Sequence, residues 1–153
     1  MASTLTEPQR VFRAILIDVA RGVRPNELIS YRELCDEATA RGLRTTFPML
    51  KPPFRGVGAE LGVVSSYEAA FGRPLLSALV IQEASGQPGP GFVELAIRLG
   101  VEVGTDHDSY VQAEQQLVRE FWRDDDPTRI LDAGLAAVLD RLDQIRRDLR
   151  RSK

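Results

Sequence analysis

The side chains that could support catalysis or metal binding are few in this sequence. Cys35 is the only cysteine and His107 the only histidine. His107 is flanked by Asp106 and Asp108. Together with the nearby Glu102 they would offer a divalent metal three carboxylates and an imidazole. An aspartate-rich loop that caps a helix accounts for the same residues, so we predict no metal and no cofactor. No Ser/His/Asp arrangement is available either, and the sequence favours a non-catalytic protein.

Two other segments place a tyrosine and an arginine near the starts of predicted helices. They read Ile29-Ser30-Tyr31-Arg32-Glu33-Leu34 and Arg55-Gly56-Val57-Gly58-Ala59. Ser30 and Glu33 have the spacing of a capping box, which predicts a helix from there to about Arg41. A second helix is predicted over residues 54–70, with Val57, Leu61, Val64 and Tyr67 as its inner stripe.

Small residues lie at the start of that second helix. Gly56, Gly58 and Ala59 would let it approach another backbone closely, although each glycine costs about 1 kcal/mol relative to alanine. The neighbour could be another helix of the same chain or DNA, and the sequence leaves both open.

The elements before and after these helices complete a fold. Thr6-Glu7-Pro8-Gln9 reads as a capping box that begins a first helix, which Gly22 ends. Residues 75–81 are apolar and predict a strand, followed by a Gly-Pro-rich turn. The order of these parts predicts a mostly α protein with a small β-hairpin. We assign residues 1–100 to a winged helix-turn-helix core.

The remaining residues, 101–153, predict a C-terminal helical extension, in which Asp108 caps a helix over residues 109–122. Its last helix carries apolar residues spaced alternately by four and three, as in a coiled-coil seam. Two interpretations stay open: the helix packs on its own domain, or it binds a protein partner or a second copy of the chain. The seam consists of Leu131, Leu135, Val138, Leu142, Ile145 and Leu149.

The tyrosine and arginine segments resemble those of the O6-alkylguanine-DNA alkyltransferases and the catalytically inactive alkyltransferase-like proteins. The resemblance covers residues 10–92 and implies that helix 54–70 is a recognition helix. By it, Tyr31 would press on the phosphate of the target nucleotide, and Arg55 would enter the duplex in place of the flipped base. The predicted nucleic-acid-binding residues are Tyr31, Arg32, Arg55, Gly56, Gly58 and Ser77.

The sequence departs from this family at the reactive centre. The family's Pro-Cys-His-Arg-Val motif falls on residues 76–80, so Ser77 stands where the family has its cysteine. A nucleophile needs a neighbouring base or cationic field, and this segment supplies neither. Alkyl transfer is therefore excluded on this alignment. Residues 65–71 also look like an insertion.

Charge and composition limit the function classes. The net charge is −2, with +2 over residues 1–75, −6 over 76–130 and +2 over 131–153, so binding to DNA must rest on local geometry. No apolar run could span a membrane and no signal pattern is present, which predicts a cytoplasmic protein without membrane contact. We favour a non-catalytic module that binds double-stranded DNA. The alternatives are a protein-interaction module of winged-helix fold and a small metal-dependent nuclease or hydrolase that uses Glu60, Asp106 or His107.

Overall fold

The computed structural model describes residues 5–43, 48–123 and 144–151. Helices predominate in this part of the chain, and two short strands form a parallel sheet. The mostly helical class predicted from the sequence is therefore confirmed. In chain order the elements are α1 (Glu7–Ala20), β1 (Ile29–Ser30), α2 (Tyr31–Ala40), α3 (Val57–Ala70), β2 (Val80–Ile81), α4 (Gly91–Arg98), α5 (His107–Arg123) and α6 (144–151), with 3₁₀ helices at Pro48–Leu50 and Leu76–Leu79.

Both predicted capping boxes form. The Thr6 hydroxyl accepts a hydrogen bond from the Gln9 N–H, and the Gln9 side chain accepts one from the Thr6 N–H. Ser30 and Glu33 make the same reciprocal pair, at 3.1 and 3.2 Å. Each box satisfies backbone donors that a helix start leaves unpaired, so the polar side chains fix where α1 and α2 begin.

The main hydrophobic core lies between α1, α2, α3 and the Leu76–Leu79 3₁₀ helix, and α5 packs against it through Val118 and Trp122. A second cluster joins the same 3₁₀ helix to α4 and α5. The side chains of two α5 residues reinforce this contact: Glu114 accepts from the Leu75 N–H, and Gln115 donates to the Ala78 carbonyl. The 3₁₀ helix is thus held from several directions.

An ion network joins α1 to the end of α3. The Glu68 carboxylate is completely buried and forms ion pairs with Arg13 and Arg73. The Arg13 guanidinium also lies over the rings of Tyr67 and Trp122, at 5.4 and 5.6 Å from their centroids. The predicted inner stripe of α3 is correct at its first three positions. The fourth predicted residue, Tyr67, is only partly buried, and the neighbouring Glu68 is buried instead.

The predicted β-hairpin is wrong. Only Val80–Ile81 is extended, and it pairs in parallel with Ile29–Ser30. The residues before it, Leu76–Leu79, form the 3₁₀ helix, and the chain after it turns directly into α4. Pro88 and Pro90 lack the N–H groups that a return strand would need, which explains why the segment turns instead.

Two helix starts also differ from the prediction. Helix α3 begins at Val57, so Arg55 lies in the turn before it. Phe54 and Gly56 there have φ values of 59° and 92°, which are not helical. Helix α5 begins at His107, and Asp106 caps it where Asp108 was expected: the Asp106 carboxylate accepts from the N–H and the hydroxyl of Ser109.

Most of the predicted seam lies outside the described residues, namely Leu131, Leu135, Val138 and Leu142. Its last two members, Ile145 and Leu149, are on α6, where they are 48% and 62% exposed. Among the helices described, none has the length and apolar character needed to cross a membrane.

Candidate functional site

A cavity of about 860 Å³ lies between α3, α4 and the residues around β2. Ligand-binding pockets in proteins commonly enclose roughly 300–1,000 Å³. Three predicted site residues line this cavity: Tyr31 from the start of α2, Gly58 from α3 and Ser77 from the 3₁₀ helix. These residues are far apart in sequence, and the fold brings them to one surface.

One wall of the cavity comes from α3, which contributes a row of small residues together with larger side chains such as Tyr67. Gly58, Gly62, Ser66 and Ala70 follow one another at intervals of four, so they lie along a single side of the helix. A Cβ atom added at Gly58 or Gly62 would meet nothing within 4 Å beyond the helix's own backbone. Close packing within the described chain therefore does not account for these two glycines.

The opposite wall comes from α4 and the turn that leads into it. Phe92 and Leu95 give this wall its apolar character, and Arg98 adds a cation. Pro88, Gly89 and Pro90 contribute the turn. The cavity thus combines large apolar surfaces with few polar groups, which is the usual composition of a site for a flat aromatic or aliphatic ligand.

Ser77 is held by a second serine beneath it. The hydroxyl oxygens of Ser65 and Ser77 are 2.6 Å apart, and the Ser77 N–H donates to the Ser65 hydroxyl at 3.1 Å. Ser65 is completely buried, while Ser77 is 8% exposed and faces the cavity. Neither serine has a histidine or carboxylate among its described hydrogen-bond partners. The pair can hydrogen-bond a ligand, but it lacks the general base that would activate a serine nucleophile.

The Tyr31 hydroxyl lies against the turn of residues 82–90. A Cβ atom at Gly89 would lie 3.2 Å from that hydroxyl oxygen and 3.6 Å from the side-chain nitrogen of Gln82. Partial burial raises the pKa of Tyr31. The phenol therefore stays protonated near neutral pH and can donate a hydrogen bond at the edge of the cavity.

The two predicted arginines have different surroundings. Arg55 is exposed, and no carboxylate pairs with it among the described residues. Arg32 is also exposed, but it lies over the Phe54 ring and forms an ion pair of 3.5 Å with Glu83. Gly56 next to Arg55 takes a left-handed backbone conformation that favours glycine. Arg55 is therefore the cation more readily available to a phosphate or a base.

The residues of the enzymatic alternative, a metal-dependent nuclease or hydrolase, lie elsewhere. Glu60 accepts a hydrogen bond from the Gln9 side chain at 2.7 Å and does not line the cavity. Asp106 caps α5, and its hydrogen bonds from Ser109 lower the pKa of its carboxyl group. Within the described residues, no group of three His, Cys, Asp or Glu side chains is arranged to hold a metal ion.

Several lining residues were missed from the sequence. Gly62 and Ser66 continue a four-residue spacing that begins at Gly58, so the pattern of small residues could have identified this face of α3. Gln82, Phe92 and Arg98 gave no such signal, because the path of the turn and of α4 decides whether they face the cavity.

Comparison with known proteins gave no match to this chain among protein-family models, curated proteins or solved structures.

Proposed function

We propose that this chain is a non-catalytic DNA-binding module of the winged helix-turn-helix type, with a pocket that receives a base extruded from the duplex. The main support is that Tyr31, Gly58 and Ser77, from three separate segments, line one cavity, and that Arg55, three residues before Gly58, is exposed. It is compatible with the DNA complex that the resemblance to alkyltransferase-like proteins implies. In it α2 faces the phosphate backbone, α3 enters a groove, and the turn of residues 82–90 takes the place of the wing.

The chemistry of the cavity suits a nucleobase. A base presents a flat aromatic face to apolar walls and a polar edge to a few hydrogen-bonding groups. Phe92 and Leu95 supply apolar surface, while Tyr31, Ser77 and Gln82 supply hydrogen bonds. Extrusion of a base costs a few kcal/mol, and the cost is lower where the base is damaged or mispaired. Insertion of Arg55 would fill the gap left in the stack.

The same geometry favours binding without reaction. Ser77 stands where the family carries its cysteine, and its hydroxyl bonds to another serine hydroxyl. A thiolate would be a far better nucleophile for an alkyl group than an unactivated hydroxyl. The bound base is therefore retained unchanged, and the protein acts as a sensor of the altered site.

The test is fluorescence anisotropy with a labelled duplex, either unmodified or carrying O6-methylguanine, at low and moderate salt. The wild type should bind the modified duplex more tightly. Arg55→Ala should lower that affinity by about tenfold or more, as the loss of a charge-assisted contact does. Arg119→Ala on α5 removes the same charge away from the cavity and should bind like the wild type. Absence of binding by the wild type at low salt would overturn the proposal.

One observation favours a second function, a protein-interaction module. Ile145 and Leu149 leave apolar surface exposed four residues apart on α6, as in helices that dock on a partner. If the chain has this second function, Arg55→Ala has no effect on association with the partner. A charged substitution at Leu135 or Leu142 then abolishes association in sedimentation or pull-down experiments.

A further inference from the structure

Helix α6 has two faces of different chemistry. Its eight residues contain four arginines and one aspartate, and all eight are exposed. At 100° per residue, the four arginines fall on one side of the helix, and Ile145 and Leu149 fall on the opposite side. Arg146 and Arg150 are four residues apart, as are Arg147 and Arg151, so they form two adjacent rows of cations.

These arginines differ from several of those in the rest of the described chain. Arg13, Arg41 and Arg73 are each paired with a carboxylate. None of the four on α6 has a carboxylate within ion-pair distance among the described residues. The one aspartate of α6, Asp148, accepts a hydrogen bond from the Gln144 side chain and forms no ion pair with the arginines of this helix.

The charge of α6 contrasts with that of the region between residues 76 and 130, which carries four basic and ten acidic residues. That region includes α4 and the turn beside the proposed base site. Phosphate contacts dominate the affinity of most DNA-binding proteins. A DNA-binding module of this composition therefore needs a separate source of positive charge.

We infer that α6 is a phosphate-binding arm that contacts the DNA backbone and supplies the sequence-independent part of the affinity. The inference rests on the proposed function. The arginine guanidinium forms two parallel hydrogen bonds to a phosphate, and each row on α6 presents two of them roughly 6 Å apart along the helix axis. Ile145 and Leu149, which belong to the predicted seam, lie on the other side of the helix.

An anionic membrane surface is the less suitable partner. Helices that lie in a membrane interface use a broad apolar face that often includes tryptophan or phenylalanine. Helix α6 offers two aliphatic residues and no aromatic residue. Its positive charge is carried by arginine alone, the residue best suited to bidentate phosphate recognition.

The test uses the full chain with Arg146, Arg147, Arg150 and Arg151 all changed to glutamine, and a matched variant with the four changed to lysine. Affinity for an unmodified labelled duplex is measured over a series of salt concentrations. Because each phosphate contact adds about 0.9 to the slope of log affinity against log salt, the glutamine variant should lose roughly 2 to 4 from that slope. Its affinity at low salt should fall by about tenfold or more. The lysine variant should keep the slope, and both should keep the wild-type preference for the modified duplex.

The outcomes separate this inference from the proposed base site. If the glutamine variant has the wild-type slope and affinity, α6 does not bind phosphates, whatever Arg55→Ala does. If the glutamine variant loses affinity while the wild type shows no lesion preference, the arm stands and the base site fails. Binding of the wild type to vesicles rich in phosphatidylserine, with DNA affinity unaffected by the glutamine changes, would overturn the inference in favour of a membrane.

Discussion

Helix α3 turns one face to the core and the other to the cavity, and the two faces differ in size and in polarity. The inner face carries Val57, Leu61 and Val64, followed by Ser65 and the ion-paired Glu68, all buried. The cavity face carries Gly58, Gly62, Ser66 and Ala70. The inner face contributes apolar burial and satisfied polar contacts, whereas the glycines of the other face reduce helix stability without close packing to offset the cost. Residues of the first face serve the fold, and those of the second leave room for a ligand.

Among changes to the inner face, removal of the Glu68 charge at its end should destabilise the protein most. Glu68→Ala leaves Arg13 and Arg73 without their partner, and loss of one member of a buried ion pair costs about 3–5 kcal/mol. We expect that decrease in the free energy of unfolding, measured by urea denaturation. Glu94→Ala, an exposed change on α4, should alter it by less than about 0.5 kcal/mol.

Glu68→Gln, which keeps the size of the side chain, should give a smaller loss and still allow the protein to fold. If the free energies of unfolding of both Glu68 variants lie within about 1 kcal/mol of the wild-type value, the ion network does not anchor this end of α3.

Two serines sharpen the comparison, because Ser65 lies on the inner face of α3 and Ser77, on the 3₁₀ helix, lines the cavity. Ser65→Ala removes the partner of both the N–H and the hydroxyl of Ser77, so it should cost about 1–3 kcal/mol of stability. Ser77→Ala keeps the N–H bond to Ser65 and should cost about 1 kcal/mol or less. For binding of the modified duplex we expect the greater loss from Ser77→Ala, because its hydroxyl faces the cavity.

Denaturation and anisotropy are measured on the same two variants. The prediction fails if Ser77→Ala proves the more destabilising of the two, or if it binds the modified duplex as the wild type does.

The features that the sequence predicted are local ones. The capping boxes at Thr6 and Ser30 depend on side chains three residues apart, so the spacing alone places the starts of α1 and α2. Tyr31 and Ser77, which were singled out by resemblance to a family motif, line the cavity, and their contact with DNA stays a prediction.

The features that were missed depend on contacts between distant segments. The pairing of Ile29 with Val80 uses two residues from each strand, which is too short to give an alternating pattern. Glu68 in the core could not be foreseen without knowing that Arg13 and Arg73 converge on it, because an isolated glutamate is expected at the surface. Tertiary structure likewise decides that Arg32 pairs with Glu83 and that Arg55 has no carboxylate partner among the described residues.

The smallest expected change in stability has the opposite sign and concerns the cavity face. Gly62→Ala should raise the free energy of unfolding by about 0.5–1 kcal/mol, because alanine favours the helix and its methyl group meets no neighbouring atom. If the cavity receives a base, the same methyl group narrows it and weakens binding of the modified duplex. Gly62→Leu should weaken binding further while the fold remains as stable as the wild type.

Urea denaturation and anisotropy of the wild type, Gly62→Ala and Gly62→Leu then distinguish a role of this position in packing from a role in ligand binding. If glycine is needed here for packing, larger side chains lower the stability of the protein. If it leaves room for a ligand, larger side chains weaken DNA binding and leave the stability unchanged. Unchanged binding across the three would show that this face of α3 does not contact DNA.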